Sequence, residues 1–195
     1  MIYIFIVGML ILAAWFLMVW IRKTMWDAVH RNMIDLEDKI DGKVMRSGFA
    51  SRPYFHGKYN GFDLTINFSS EKTSGKRLTY VDISYSIPCK LSFTLSDKEW
   101  LEAQQAGPLE DFIEWQNMHK KALVLRPASD KDVKKLFSES AFKELMDDQN
   151  DLAYIFLGKT GLIYEFITEE VIKSTEVEPL LKRLEFLDKL NKVVN

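Results

Sequence analysis

The chain has 195 residues, with 26 Lys and Arg against 28 Asp and Glu, and one Cys. That length fits one domain with at most an appendage. A net charge of −2 excludes the basic footprint of a nucleic-acid binder, and a single cysteine excludes an internal disulfide framework.

Met1 to Ile21 reads MIYIFIVGMLILAAWFLMVWI, without a charged side chain. As a helix it spans about 31 Å, close to the ~30 Å hydrocarbon core of a bilayer. A cleaved signal peptide needs a basic start, a shorter apolar core and a small-x-small site. Here the chain opens in apolar residues, and Arg22-Lys23 follow them. Residues 1–23 are therefore predicted to be an uncleaved transmembrane anchor with the lipid bilayer as its partner. Arg22, Lys23 and Arg31 follow the span and no Lys or Arg precedes it. The positive-inside rule then places the C-terminal side in the cytoplasm and Met1 outside. The span carries no charge, His, Asn or Gln of the kind an ion or proton path uses. Gly8, Ala13 and Ala14 are not spaced as GxxxG. Met9, Trp15 and Phe16 are the residues that would pack on a neighbouring helix, lipid being the blander neighbour.

Residues 24–42 are expected to form a juxtamembrane helix. Trp26, Val29, Met33, Leu36 and Ile40 recur at spacings of 3, 4, 3 and 4, a heptad seam, and Gly42 reads as its stop. Such a seam either forms a short coiled coil, dimerising the chain or gripping a partner, or packs on the chain's own domain. Two heptads fall short of the roughly three to four a coiled coil calls for, which favours the second use.

Residues 43–195 read as a soluble domain. Arg52-Pro53 and 57–61 (GKYNG) are turn chemistry. Phe62, Leu64, Ile66 and Phe68 alternate with polar residues as in a half-buried strand. The stretch 69–76 is a polar turn, 80–87 a second strand ended by Pro88, and Leu91, Phe93 and Leu95 mark a third. The three are expected to form an antiparallel meander. Ser96 and Glu99 have capping-box spacing ahead of a helix over 97–106, stopped by Gly107-Pro108. Residues 109–121 fit a helix turn or a bulged strand equally well. A strand over 122–125, helices over 130–137 and 139–147, a polar turn over 147–151 and a hairpin of strands 153–157 and 162–167 follow. Thr175-x-x-Glu178 has capping-box spacing, with Pro179 leaving the start of the last helix open. That helix runs to about Val193 with an apolar face of Leu180, Leu181, Leu184, Leu187 and Leu190. The fold class is α+β: a single N-terminal transmembrane helix, an antiparallel sheet with packed helices, and a closing C-terminal amphipathic helix.

The turn 57–61 leading into strand 62–68 belongs to a wider pattern. A strand ending near Pro127, then Ser129-Asp130, Val133 to Phe137, Ile155 to Gly158 and the Leu-rich closing helix complete it. Over residues 44–195 this order resembles uncharacterised, membrane-anchored bacterial and archaeal domains of unknown function. The resemblance implies a fold type and a membrane setting; it implies no activity and no functional residues.

Chemical motifs are sparse. Gly158-Lys159-Thr160 mimics the end of a P-loop, but Ala153 stands where its first glycine belongs and the flanks read as strands. His30, His56 and His119 have no second ligand at metal-site spacing. Cys89 reads as a small buried residue, and the acidic run 147–151 lacks the order of a calcium loop. Tyr54, Phe55, Tyr59 and Phe62 read as core filling, with an aromatic interaction surface as the alternative. No catalytic, cofactor-binding or metal residue is expected. The function these features favour is a non-catalytic accessory subunit or assembly factor of an integral membrane protein complex. Its contacts would be Met9, Trp15 and Phe16 of the anchor and Trp26, Val29, Met33, Leu36 and Ile40 of the seam, the seam also offering a homodimer contact. The alternative is a membrane-tethered ligand-binding or sensory module. Its apolar pocket would be lined by Leu64, Ile66, Phe68, Tyr85 and Leu184.

Overall fold

The structure, a computed structural model, describes residues 2–73, 76–104 and 110–195. The apolar stretch and the seam form one unbroken helix, α1 (Ile2–Glu37). It closes when the Lys39 and Ile40 N–H groups both bond to the Leu36 carbonyl at 3.0 Å. This end lies short of the expected stop. Gly42 belongs instead to strand β1 (Asp41–Arg46), facing Gly57 of β2 (Pro53–Tyr59). A Cβ on Gly42 would sit 2.3 Å from Phe55 Cζ and 2.9 Å from Gly57 Cα. Glycine at 42 thus serves close strand approach, not helix capping.

Gly57 to Tyr59 are likewise strand, and the turn contracts to Asn60-Gly61, both at positive φ (49° and 85°). This is the type I′ conformation that Asn-Gly favours in a two-residue hairpin. It leads into β3 (Phe62–Thr73), which pairs with β4 (Lys76–Tyr85) from Leu64↔Tyr85 to Thr73↔Lys76. Residues 69–73 therefore continue the strand, and the rest of the expected polar turn falls partly outside the described residues.

The expected meander fails at its third strand. β5 (Phe93–Asp97) does not lie beside β4; the C-terminal hairpin of β8 (Leu152–Gly158) and β9 (Gly161–Thr168) stands between them. β9 pairs with β4, and β8 with β5. Three strand spacings amount to about 14 Å. The extended segment between β4 and β5, about seven residues long, reaches farther than that. With β6 (Ile113–Gln116) and β7 (Ala122–Arg126), the sheet has nine antiparallel strands in the order β1-β2-β3-β4-β9-β8-β5-β7-β6. The strand reading of 109–121 is the one realised.

The remaining helices are α2 (Lys98–Gln104), α3 (Lys131–Ser138), α4 (Ser140–Asp147), α5 (Val171–Ser174) and α6 (Val177–Val194). The expected stop of α2 at Gly107-Pro108 lies outside the described residues. Its cap is Asp97, whose Oδ1 accepts from the Trp100 N–H at 2.7 Å, not Ser96, whose hydroxyl is buried without a partner. Asp130 caps α3 through the Asp132 and Val133 N–H groups at 2.8 and 3.1 Å. Thr175 does not cap α6. Its hydroxyl donates to the Val171 carbonyl at 2.7 Å and closes α5 instead.

One face of the sheet carries the main core. Leu64, Ile66, Val81, Ile83, Tyr164 and Phe166 meet Leu180, Leu184, Leu187 and Leu190 of α6, Phe142 and Met146 of α4, and the lower seam of α1. The opposite face carries α2, with Leu101 and Val124 buried. Five polar residues hold α6 to the sheet and to the turn before β8. Asp188 Oδ1 accepts from the Tyr85 hydroxyl at 3.1 Å. Arg183 donates to Tyr164 Oη at 2.7 Å and pairs with Asp151. Burial pushes the Tyr85 hydroxyl well above its ordinary value, with the Asp188 charge adding to it.

Candidate functional site

The seam residues Trp26, Val29, Met33 and Leu36 are buried in the chain's own core, and Ile40 packs half-buried against it. Their expected role as partner or dimer contacts is corrected accordingly: the sheet and α5–α6 already occupy that face. At 100° per residue, the seam continues up the helix through Met25, Arg22, Met18/Val19 and Trp15 as one stripe. The domain covers the stripe as far as Trp26 and then leaves it. Met9, Trp15 and Phe16 remain 55%, 57% and 66% exposed. They do not share one face. Met9 and Phe16, seven apart, line up with each other, while Trp15 lies on the stripe about 100° away.

Where the cover ends, a groove of about 520 Å³ opens between α1 and the domain. One wall is the stripe, from Trp15, Met18 and Val19 to Arg22, Met25 and Trp26. The other wall is Ser70 of β3, Thr79 of β4, and Glu169 and Val171 at the β9–α5 corner. The last charge-free turn of the helix lies at one end of its wall, and Arg22, then Met25 and Trp26, lead from it toward the buried seam. Sequence reasoning missed this second wall, because its residues come from three separated segments. The signal within reach was the stripe itself, which runs without a break from the seam into the apolar span.

A polar clasp lies beside the groove. Arg46 Nη1 reaches from β1 to Asp27 of α1 at 2.5 Å, and Lys23 also pairs with Asp27. The Lys23 and Arg46 hydrogen bonds hold the Asp27 carboxyl below its usual range. Arg46 also donates from Nε to the Ser51 carbonyl and from Nη2 to the Phe49 carbonyl, both at 2.9 Å, which fixes the β1–β2 loop. That loop presents Phe49, two-thirds exposed, with the Lys23 ammonium 4.9 Å from its ring. The loop thus sets an exposed aromatic beside Lys23, next to the first charged turn after the apolar span.

The remaining candidates are scattered or packed. His30 lies on α1, His56 on β2, 3.4 Å from Thr65 Oγ1, and His119 in the β6–β7 loop. Among the described residues no group of three or more His, Cys, Asp or Glu side chains is placed to hold a metal ion. Cys89 is buried, its Sγ 3.2 Å from Asn191 Oδ1, and burial pushes its thiol up. Gly158-Lys159-Thr160 is the β8–β9 hairpin turn. Leu64, Ile66, Phe68, Tyr85 and Leu184 belong to the packed core, so the pocket they were expected to line is filled by their own contacts. Of the aromatic group, Phe55 is core, while Tyr54 and Phe62 are about a third exposed.

The sheet face that carries α2 has a polar row across adjacent strands: Asn67, Asp82, Glu165, Tyr154 and Ser96. Burial, then the Asp82 and Glu71 charges, push Glu165 up to about 7. Burial also raises Asp82, against a hydrogen bond from Ser84.

The architecture is that of an α+β domain mounted on an N-terminal helix that alone, among the described residues, is long and apolar enough to cross a membrane, with a mean hydropathy of 2.7. No protein-family profile and no curated protein matches the chain. Its fold is similar to that of the crystal structure of the mycobacterial trehalose monomycolate transport factor A, TtfA. The TM-score is 0.54 over 86% of this chain and 95% of that one, at 8% sequence identity. At that identity the likeness is one of fold.

Proposed function

We propose that the chain is a non-catalytic, single-pass membrane protein, an accessory subunit or assembly factor of a larger membrane protein complex, with its domain on the cytoplasmic side. The observation that carries this reading is the division of α1. Its C-terminal part is built into the domain core, so the domain is mounted directly on the helix, while none of the apolar window is buried among the described residues. An exposed span continuous with the domain suits a protein that positions something in or at the membrane. The fold likeness to a protein named as a transport factor supports a role beside membrane machinery. Within the span, Met9 and Phe16 form the face free for a partner helix.

The test is purification of the intact chain from its native membranes in mild detergent, with native mass and identification of co-purifying chains. A stoichiometric larger complex that Met9→Ala with Phe16→Ala dissolves is expected. A lone monomer or dimer overturns the proposal. For sidedness, Lys159→Cys at the β8–β9 turn is expected to react with an impermeant maleimide only after permeabilisation. Cys89 is buried and contributes little background.

A further inference from the structure

The groove between α1 and the domain crosses from the charge-free part of the helix to its first charged turn. Trp15, Met18, Val19 and Ile21 belong to the charge-free part; Arg22, Met25 and Trp26 continue that wall, and Ser70, Thr79, Glu169 and Val171 form the other. Trp15 and Arg22 are about 10 Å apart along the axis. Arg22 is exposed and makes no hydrogen bond or ion pair among the described residues. With α1 crossing the membrane, the apolar end opens into hydrocarbon and Arg22 stands at headgroup level.

We propose that this groove holds one glycerophospholipid of the surrounding bilayer, an acyl chain lying along Trp15, Met18 and Val19 and the phosphate seated at Arg22. An amphiphile whose chain lies along the charge-free turn and whose anion meets Arg22, the one cation among the described lining residues, matches the order of residues along α1 from Trp15 to Arg22. The alternative occupant, a helix from a second copy or another protein, would leave Arg22 without an anion. The groove of about 520 Å³ takes one acyl chain and the phosphate, the second chain lying in the bilayer. The volume lies within the range of small-molecule sites, about 300–1,000 Å³. A guanidinium is the side chain best suited to fork onto a phosphate. The Phe49 loop and the Asp27–Arg46 clasp hold the domain at the level where such a headgroup lies. The proposal rests on α1 spanning the bilayer and not on the accessory-subunit role.

The experiment uses the full chain in nanodiscs of phosphatidylethanolamine and phosphatidylglycerol, doped with a phosphatidylethanolamine carrying a diazirine in one acyl chain. Adducts are mapped by peptide mass spectrometry. Adducts concentrated on Trp15, Met18, Val19 and Ile21, over the Met9–Phe16 face, are expected. Val19→Trp, which fills the groove, and Arg22→Gln, which removes the phosphate partner at an exposed position, are each expected to lower groove labelling about tenfold, the effect of one charge-assisted contact. The domain's melting temperature serves as the folding control. Labelling spread evenly around the helix, as for annular lipid, overturns the proposal. So does labelling unchanged in Arg22→Gln, or a groove closed by a cross-link to a second copy or another protein.

Discussion

Arg46 of the edge strand β1 holds Asp27 of the membrane helix at 2.5 Å and, with its other nitrogens, ties down the loop that carries Phe49. This one side chain fixes the domain, the helix and the exposed aromatic together. The Asp27 carboxyl is held below its ordinary 3.8. A depressed carboxylate stabilises the fold above its unfolded value, and the contribution is lost as pH falls through the folded value. Asp27→Asn is expected to melt below wild type at pH 7, with the two curves converging well below pH 3.8. Arg46→Ala is expected to expose the 47–52 loop to limited proteolysis at neutral pH. Salt should narrow both differences, because the pair is partly solvated.

The use of the seam as core rather than interface is open to a direct measurement. Met33 is fully buried. Met33→Ala is expected to cost about 2–5 kcal/mol, read by denaturant unfolding in detergent, with native mass unchanged. A loss of mass without loss of stability would mean the seam joins two chains.

Gly42 and Gly57 let β1 and β2 approach over the Phe55 ring. A Cβ at Gly57 would meet the Asp41 carbonyl oxygen at 2.2 Å and Gly42 Cα at 2.6 Å. Both near atoms are backbone, which cannot swing away. Gly57→Ala is expected to destabilise by about 1–3 kcal/mol. Gly42→Ala meets a ring first, and Phe55→Leu should recover part of its loss. Thermal melts of the single and double variants check the pair.

Glu165 has a folded value raised to about 7 from an ordinary 4.5. Between those values the folded state binds more protons than the unfolded one, so stability falls as pH rises across that window and levels above it. Glu165→Gln is expected to flatten most of this slope, the raised Asp82 keeping the rest. At pH 8 the variant should be about 1 kcal/mol more stable than wild type, a figure reduced for solvent screening of a half-buried group. Unfolding curves at pH 5, 6.5 and 8 test the sign.

Local chemistry was legible wherever a short run of residues settles the outcome. The charge-free stretch to Ile21, the alternation from Phe62 to Phe68, the short helix from about Asp130, the Gly158–Gly161 hairpin and the leucine face of α6 all depend on neighbours within a few positions. Periodicity and side-chain volume suffice to set them. Strand order, the fate of the seam and the groove depend on residues far apart in the chain. The β8–β9 hairpin enters between β4 and β5 because their inner faces are completed by Tyr164, Phe166, Ile155 and Leu157, a match that no local pattern encodes. The heptad of Trp26 to Leu36 reads the same whether another helix or a sheet covers it, and only the packed domain supplies the cover. The groove forms because that cover stops at Trp26, a boundary set by how far the ends of β3, β4 and β9 reach along α1, not by any change in the helix's own sequence.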